Sequence, residues 1–386
     1  MIIGVPKEIL PEEKRVAAIP ETVVKYKQLG FDVIVEQGAG SGIFVTDEEY
    51  KKAGAEIIDD VEKLYSQADL ILKVKQPYFN EQKGKQEVEM MRTGSSLITF
   101  LHPAAPSNHK MVKMLQEKNI TSFTMDGIPR ISRAQKMDAL TSMSTITGYR
   151  SVLLAAEQMP KFVPMIGTAI GVIQPAKVLI IGVGVVGLQA IATAKRLGGI
   201  VQAVDIRENA RKEAESLGAK TVGFDVPSEL AIGEGGYAKA LTDEWLKKER
   251  ESLQPTVTET DIIILSALVP GEVAPILISE EMVSDMKPGS VIVDVSIDQG
   301  GNCALTENAK IVIKHGVTVC GVANIPGGMA VHASWLYANN MFYYTENLFK
   351  KGTGTIDFED EIVKHSLVTH EGKLLFAGAL KVMGQK

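Results

Sequence analysis

Cysteine is almost absent: Cys303 and Cys320 are the only two in 386 residues. Two cysteines make neither a disulfide framework nor a metal cluster, and they fit a reducing compartment. His109, His315, His332, His365 and His370 are scattered without metal-ligand spacing, so no metal is expected. A strong excess of charge of one sign is missing too. The net charge is −6 and there is no basic block, which argues against nucleic acid as a partner. No apolar run approaches the ~20 residues that a membrane helix needs. Met1 leads directly into "IIGV" with no signal-peptide pattern. The expectation is a cytoplasmic chain that reaches a membrane only by docking on a membrane protein. Internal repeats and low-complexity tracts are also lacking.

What is present is alternation. Short apolar runs at 2–5, 32–36, 55–59, 70–75, 96–101 and 120–125 read as strands. Helical patterns fall between most of them, at 20–30, 47–53, 60–67 and 108–118. Such alternation means a parallel sheet covered by helices on both faces. A long helical segment, roughly 134–158, follows, then a Gly/Pro-containing stretch, 164–177. The alternation restarts with strands at 178–182, 200–205, 261–268, 290–296 and 317–323 and a helix at 185–197. The roughly 55 residues at the end open with a helical pattern, 332–351, lack a sheet of their own, and are expected to pack on the first domain. The fold class is therefore α/β, with two doubly wound parallel-sheet domains. The second, 139–329, is inserted into the first, 1–138 plus 330–386.

In the second domain "VLIIGVGVVGLQAIATAKRLG" passes from strand to helix, and Gly182, Gly184 and Gly187 form G-x-G-x-x-G. The first glycine allows a tight turn, the second lets backbone approach a pyrophosphate, and the third lets helix pack on strand. The helix N-terminus then holds phosphate charge. The next strand ends in Asp205, 23 residues after Gly182. An acid at about that spacing hydrogen-bonds the adenosine ribose and repels a 2′-phosphate, which favours NAD(H) over NADP(H). Arg207 is of the right type to meet that phosphate, so it leaves the preference open. A structural glycine turn without ligand is the competing reading. Leu268, just after the strand at 261–265, is a candidate wall for the cofactor or a plain loop leucine.

"PRISRAQKMDAL", 129–140, sets Arg130 ahead of a helical pattern in which Gln135, Asp138 and Thr141 recur every third residue. On one helix, that spacing gives one face. A guanidinium, an amide, a carboxylate and a hydroxyl together suit a carboxamide with ribose and phosphate oxygens, the combination a nicotinamide carries. A solvated helix start with ordinary capping is the alternative.

The two stretches together, with "GYRSV", "VEQGAG", "GGYAK", "MKPGSVIVD" and "GGN", resemble the NAD(H)-binding alpha component of proton-translocating nicotinamide nucleotide transhydrogenase, in the form split over three chains. The likeness covers almost the whole chain. It implies that Arg130, Gln135 and Asp138, with Lys136 and Met137 between them and Thr141 beyond, line the nicotinamide site. It also implies NAD contacts at Gly182, Gly184, Val185, Val186, Gly187, Asp205, Ile206, Arg207, Gly236, Tyr237 and Leu268, with Tyr237 in a mobile loop. A homodimer is implied, with NAD in the cleft between the domains. So are a membrane alpha-2 subunit and a beta subunit that carries the NADP(H)-binding domain. The chain would then be peripheral on the inner face of the cell membrane.

The same family is related to alanine dehydrogenase. Arg15, Lys75, His102 and Asp298 match residues that in that enzyme hold substrate or take part in acid–base chemistry. An amine–ketone interconversion needs proton transfers. Hydride exchange between two nicotinamides needs only alignment, close approach and exclusion of water. The run Arg130 to Asp138 favours the transhydrogenase component. An alanine dehydrogenase-like oxidoreductase and a catalytically silent NAD-binding module are the alternatives.

Overall fold

The computed structural model describes residues 1–233, 238–269 and 273–384. Gly236 and Tyr237 lie outside the described residues. The chain forms two compact units, residues 1–143 with 327–386, and residues 144–326.

In the first unit the sheet runs, from one edge, Glu56–Ile58, Asp32–Glu36, Ile2–Val5, Leu70–Leu72, Ser96–Thr99, Thr121–Thr124, Leu367–His370 and Lys373–Leu374. The first six strands are parallel. The last two are antiparallel additions, with a register shift at Leu367/Thr369. The sheet is therefore mixed at one edge, whereas the alternation of strand and helix predicts parallel strands alone. The C-terminal segment does return to this unit, and it does so as strands as well as helices. A hydroxyl pair, Ser122 with Thr369 at 2.6 Å, and the Thr369 hydroxyl donating to the Ile120 carbonyl at 2.7 Å fix the added strand. A four-residue strand made of "LVTH" is too short to be told from a loop by periodicity.

Where the chain order reverses, beside Ile2–Val5 and Leu70–Leu72, the first unit buries charge. Lys73 Nζ lies 2.9 Å from Glu87 and 3.4 Å from Glu8, and all three side chains are at most 3% exposed. Glu87 also accepts from the Tyr65 hydroxyl at 2.6 Å and the Tyr78 N–H at 2.8 Å. Glu8 accepts from the Val74 N–H at 2.6 Å. Burial alone would depress the Lys73 ammonium, but Glu8 and Glu87 hold it well above its ordinary value.

The second unit's sheet runs Lys220–Thr221, Ile200–Val204, Lys177–Ile181, Ile262–Leu265, Val291–Asp294, Val317–Cys320, Ile311–Lys314. All neighbours are parallel except the final edge pair. That is the doubly wound order, and it reverses between Lys177–Ile181 and Ile262–Leu265, where such sheets place ligands. The stretch 164–177 contains a two-stranded hairpin, Ile166–Thr168 with Gly171–Ile173. Both cysteines are buried and free.

The continuous helix expected over 134–158 is interrupted. Ser132–Met137 is a 3₁₀ helix, Asp138 leaves helical geometry at φ −75° and ψ 84°, and the α-helix is Ala139–Gln158. The cause is a cap. The Asp138 carboxylate accepts from the Thr141 N–H at 2.8 Å and from its hydroxyl at 2.6 Å. A short acidic side chain competes with the helical ladder and satisfies a first-turn N–H. Gln135, Asp138 and Thr141 therefore do not share one face of one helix. They sit on a 3₁₀ turn, at a cap and in a first α-turn.

Candidate functional site

At the end of Lys177–Ile181 the chain turns at Gly182 with φ +89°. A Cβ there would stand 2.7 Å from the backbone of Ser266 and Ala267, so both conformation and space require glycine. The helix Val185–Arg196 begins three residues on, and a Cβ on Gly187 would lie 2.1 Å from the Gly182 carbonyl oxygen. Among the described residues nothing stands within 4 Å of a would-be Cβ on Gly184. The turn is thus closed on its protein side and open where a pyrophosphate would approach the first helical N–H groups. Val185 and Val186 are half-buried at that first turn.

Asp205 follows Ile200–Val204 and is buried. One oxygen accepts from the Arg207 N–H at 2.8 Å and its Nε at 3.0 Å. The other accepts from the Val183 N–H at 2.8 Å and Arg207 Nη2 at 2.8 Å. A carboxylate offers about four acceptor positions, and these four contacts occupy them, so any further donor would have to displace Arg207, since Val183 belongs to the turn itself. In the sequence Asp205 and Arg207 read as separate votes on cofactor choice, whereas the structure couples them. Ile206 is half-buried between them.

Glu249, on the helix Asp243–Glu259, is buried near this acid. Burial pushes its carboxyl up to about 7, with the Asp205 charge adding and Arg250 opposing. A carboxyl raised in the folded state contributes stability that is complete below its unfolded pKa of about 4.3 and is lost as pH rises through about 7. Raising the pH from 5 to 8 is expected to cost on the order of 2 kcal/mol from this group. In urea melts at several pH values, Glu249→Gln should remove that part of the slope. An unchanged slope would assign it elsewhere.

The loop after Ile262–Leu265 closes the turn from the other side. The Ser266 hydroxyl donates to the Gly182 carbonyl at 2.8 Å. Leu268 is exposed beyond it. Asn302, buried, binds this loop through both ends of its amide: Ala267 N–H donates to Oδ1 at 3.0 Å, and Nδ2 donates to the carbonyls of Ala267 at 2.9 Å and Pro275 at 2.8 Å. Asp294, fully buried, accepts in turn from the N–H groups of Asn302 at 2.8 Å and Cys303 at 3.0 Å and from the Thr306 hydroxyl at 2.9 Å. Sequence reading misses Ser266, Asn302 and Asp294. The signal for Asn302, a polar side chain after the two glycines of "GGN", is legible only as a motif.

In the first unit, Arg130, Gln135 and Lys136 are exposed, Met137 is buried, and Asp138 and Thr141 are half-buried. The 3₁₀ turn therefore anchors itself through Ala134 and Met137 and turns its polar side chains outward. Arg15 is buried, with Nε and Nη2 donating to both Glu13 oxygens at 2.7 and 2.6 Å. Lys75 is half-buried in the same unit. His102 Nδ1 lies 2.8 Å from Asp126. Burial alone would raise the Asp126 carboxyl, but the His102 charge and hydrogen bond outweigh it and hold the group below its ordinary value. Asp298 is exposed in the second unit. Among the described residues no group of three His, Cys, Asp or Glu is arranged to hold a metal, and no helix is long and apolar enough to cross a membrane.

Residues 4–147 match the alanine dehydrogenase/PNT N-terminal domain, and residues 151–377 match its C-terminal domain. The chain is 45% identical over 378 residues to the first chain of the divided NAD(P) transhydrogenase subunit alpha of Rhodospirillum rubrum, covering 97% of this chain and 98% of that protein. It is 34% identical over 390 residues to an alanine dehydrogenase of Methanococcus maripaludis, covering 99% and 96%. The solved transhydrogenase of Sinorhizobium meliloti superposes with a TM-score of 0.85 at 38% identity, over 97% of this chain and 100% of that one. With both of its domains matched and the doubly wound fold shared, the chain belongs to the alanine dehydrogenase/PNT family, on the side of its transhydrogenase alpha relatives.

Proposed function

We propose that this chain is the NAD(H)-binding component of a proton-translocating nicotinamide nucleotide transhydrogenase. The observation that carries the reading is the segment from Arg130 to Asp138, in a chain 45% identical to a transhydrogenase alpha subunit. In this reading the glycine turn and Asp205 hold the pyrophosphate and adenosine ribose, with Val185, Val186, Ile206, Arg207 and Leu268 beside them. Arg130, Gln135, Asp138 and Thr141, with Lys136 and Met137, hold and orient the nicotinamide. Bound NAD(H) supplies or accepts the hydride. The chain's own residues align it and keep water away, which is what hydride exchange requires. The second nicotinamide, of NADP(H), belongs to a beta subunit. A membrane alpha-2 subunit and a second copy of this chain complete the assembly, which sits on the inner face of the cell membrane.

The engagement of Arg15 by Glu13 supports this over amino-acid oxidation, because a guanidinium already satisfied by a carboxylate is a poor seat for a substrate carboxylate. The test is to mix the purified chain with NADH, an oxidised NAD analogue and the NADP(H)-binding domain of a transhydrogenase, and to run L-alanine plus NAD⁺ with the chain alone in parallel. Hydride transfer that depends on the partner domain is expected. Rapid alanine-dependent NADH formation without it overturns the reading in favour of an alanine dehydrogenase-like enzyme.

A further inference from the structure

We propose that Asn340 is a positioning residue for the 130–138 segment, setting it for hydride transfer at no gain in stability. The inference rests on the reading of that segment as the nicotinamide end of the site. The segment has little regular structure to hold it. Its 3₁₀ turn spans only Ser132–Met137, and the Asp138 N–H reaches the Gln135 carbonyl at 3.4 Å. Besides the buried Ala134 and Met137, what holds it is one face of the helix Ala330–Leu348, where Asn340, Tyr343 and Asn347 recur at i, i+3 and i+7.

Each of these three touches the segment. Asn340 Nδ2 donates to the Lys136 carbonyl at 2.8 Å. The Lys136 ammonium lies 4.9 Å from the Tyr343 ring centroid. Arg133 Nη1 donates to Asn347 Oδ1 at 3.0 Å and to Asp360 Oδ2 at 2.9 Å. Of these contacts, that of Asn340 reaches backbone between Gln135 and Asp138, the two side chains that the reading places on the nicotinamide.

Asn340 also brings little net stability there. It is 7% exposed on a helix whose Tyr337, Ala338, Met341 and Tyr344 are fully buried. Among the described residues its buried Oδ1 meets no hydrogen-bond partner. A buried acceptor left unsatisfied destabilises, whereas an apolar side chain of similar size carries no such penalty. The amide contributes the fixed carbonyl of Lys136, and what that bond gains the bare Oδ1 roughly offsets, so leucine at this position is close to neutral for stability.

The discriminating variant is Asn340→Leu, assayed as the full chain with the NADP(H)-binding domain of a transhydrogenase and melted by calorimetry. The expected result is a melting temperature close to that of the wild type, an unchanged KM for NADH and a kcat lower by about tenfold, the size of effect given by about one lost orienting hydrogen bond. A kcat equal to that of the wild type overturns the proposal. A chain that does not fold overturns its stability half. Asn340→Ala, which removes the donor to the Lys136 carbonyl without an added side chain, then decides the positioning half: a lowered kcat at constant KM supports it, an unchanged kcat ends it. If the wild-type chain itself transfers no hydride with the partner domain, the reading of the site has failed, and the positioning role fails with it. Failure of the positioning role alone leaves the wild type active and the variants equal to it.

Discussion

A Gly187→Val chain is expected to lose NADH binding altogether and to melt well below the wild type. The added Cβ would stand 2.1 Å from the Gly182 carbonyl oxygen and 3.4 Å from the Ile180 side chain. Neither neighbour can give way cheaply. Gly182 is fixed from three directions: its N–H donates to the Val204 carbonyl at 2.9 Å, its carbonyl accepts from Ser266, and its Cα faces the Ser266–Ala267 backbone. Overpacking of a core side chain costs about 1–3 kcal/mol, and a clash with fixed backbone lies at or beyond the upper end. For a domain of this size each kcal/mol lowers the melting temperature by roughly 2–4 °C. Calorimetry and NADH fluorescence titration read the two effects. NADH binding within about threefold of the wild type would show that this turn is not where the dinucleotide sits. An intact melting temperature would show that helix and strand have room the distances deny.

Lys73→Met is expected to have the larger effect on folding. It leaves Glu8 and Glu87 buried with no cation between them. Breaking a buried pair by removing one partner costs about 3–5 kcal/mol, a large share of the roughly 5–15 kcal/mol that holds a typical domain together. The loss should depend on pH. Burial already raises the Glu8 carboxyl, against the pull of Lys73. Without Lys73, the Glu8 carboxyl gains affinity for protons in the folded state. A carboxyl with a raised folded pKa contributes most below its unfolded pKa and loses that contribution as pH rises through the folded value. The deficit of Lys73→Met relative to wild type should therefore be smallest near pH 5 and grow toward pH 8, as read from urea midpoints. A deficit that is flat across this range, or largest in acid, would mean that the carboxylates find other cations.

Much of this molecule is written in local pattern. The parallel strands are continuous apolar runs such as "VLIIG", Val178 to Gly182, which only a strand covered on both faces tolerates. The glycine turn is legible because a strand leads into it, and helix, strand and acid follow within 23 residues of Gly182. What stays hidden depends on partners far away in the chain. Leu367–His370 is a strand because Ser122 and Ile120 receive it, and Ile120 stands 249 residues before its partner Thr369. Asn302 matters because Ala267 lies against it, 35 residues away. The 130–141 segment shows a third kind of limit. Its residues and their spacing are readable, but a period of three reads as a helical face. Asp138 has the alternative of capping its own helix, and a short carboxylate before a first turn takes that alternative.

The order in which the strands are strung has a consequence for synthesis. The whole second unit, 144–326, is contiguous, so every strand of its sheet has been made once Pro326 is out of the ribosome. The first unit starts earlier and finishes later. Its six parallel strands are complete by Thr124, yet Val368, Leu374 and Ala379 belong to the same apolar cluster as Leu97, Val112 and Ile120. Until residues 327–386 emerge, that half-built sheet presents an open edge at Thr121–Thr124 and an uncovered apolar face. Domains generally fold as units during synthesis, and unpaired edges are where partly made chains aggregate. The inserted unit, begun second, is thus the first able to finish, and the interval while the older sheet waits for its final strands is the vulnerable stage in the life of the chain.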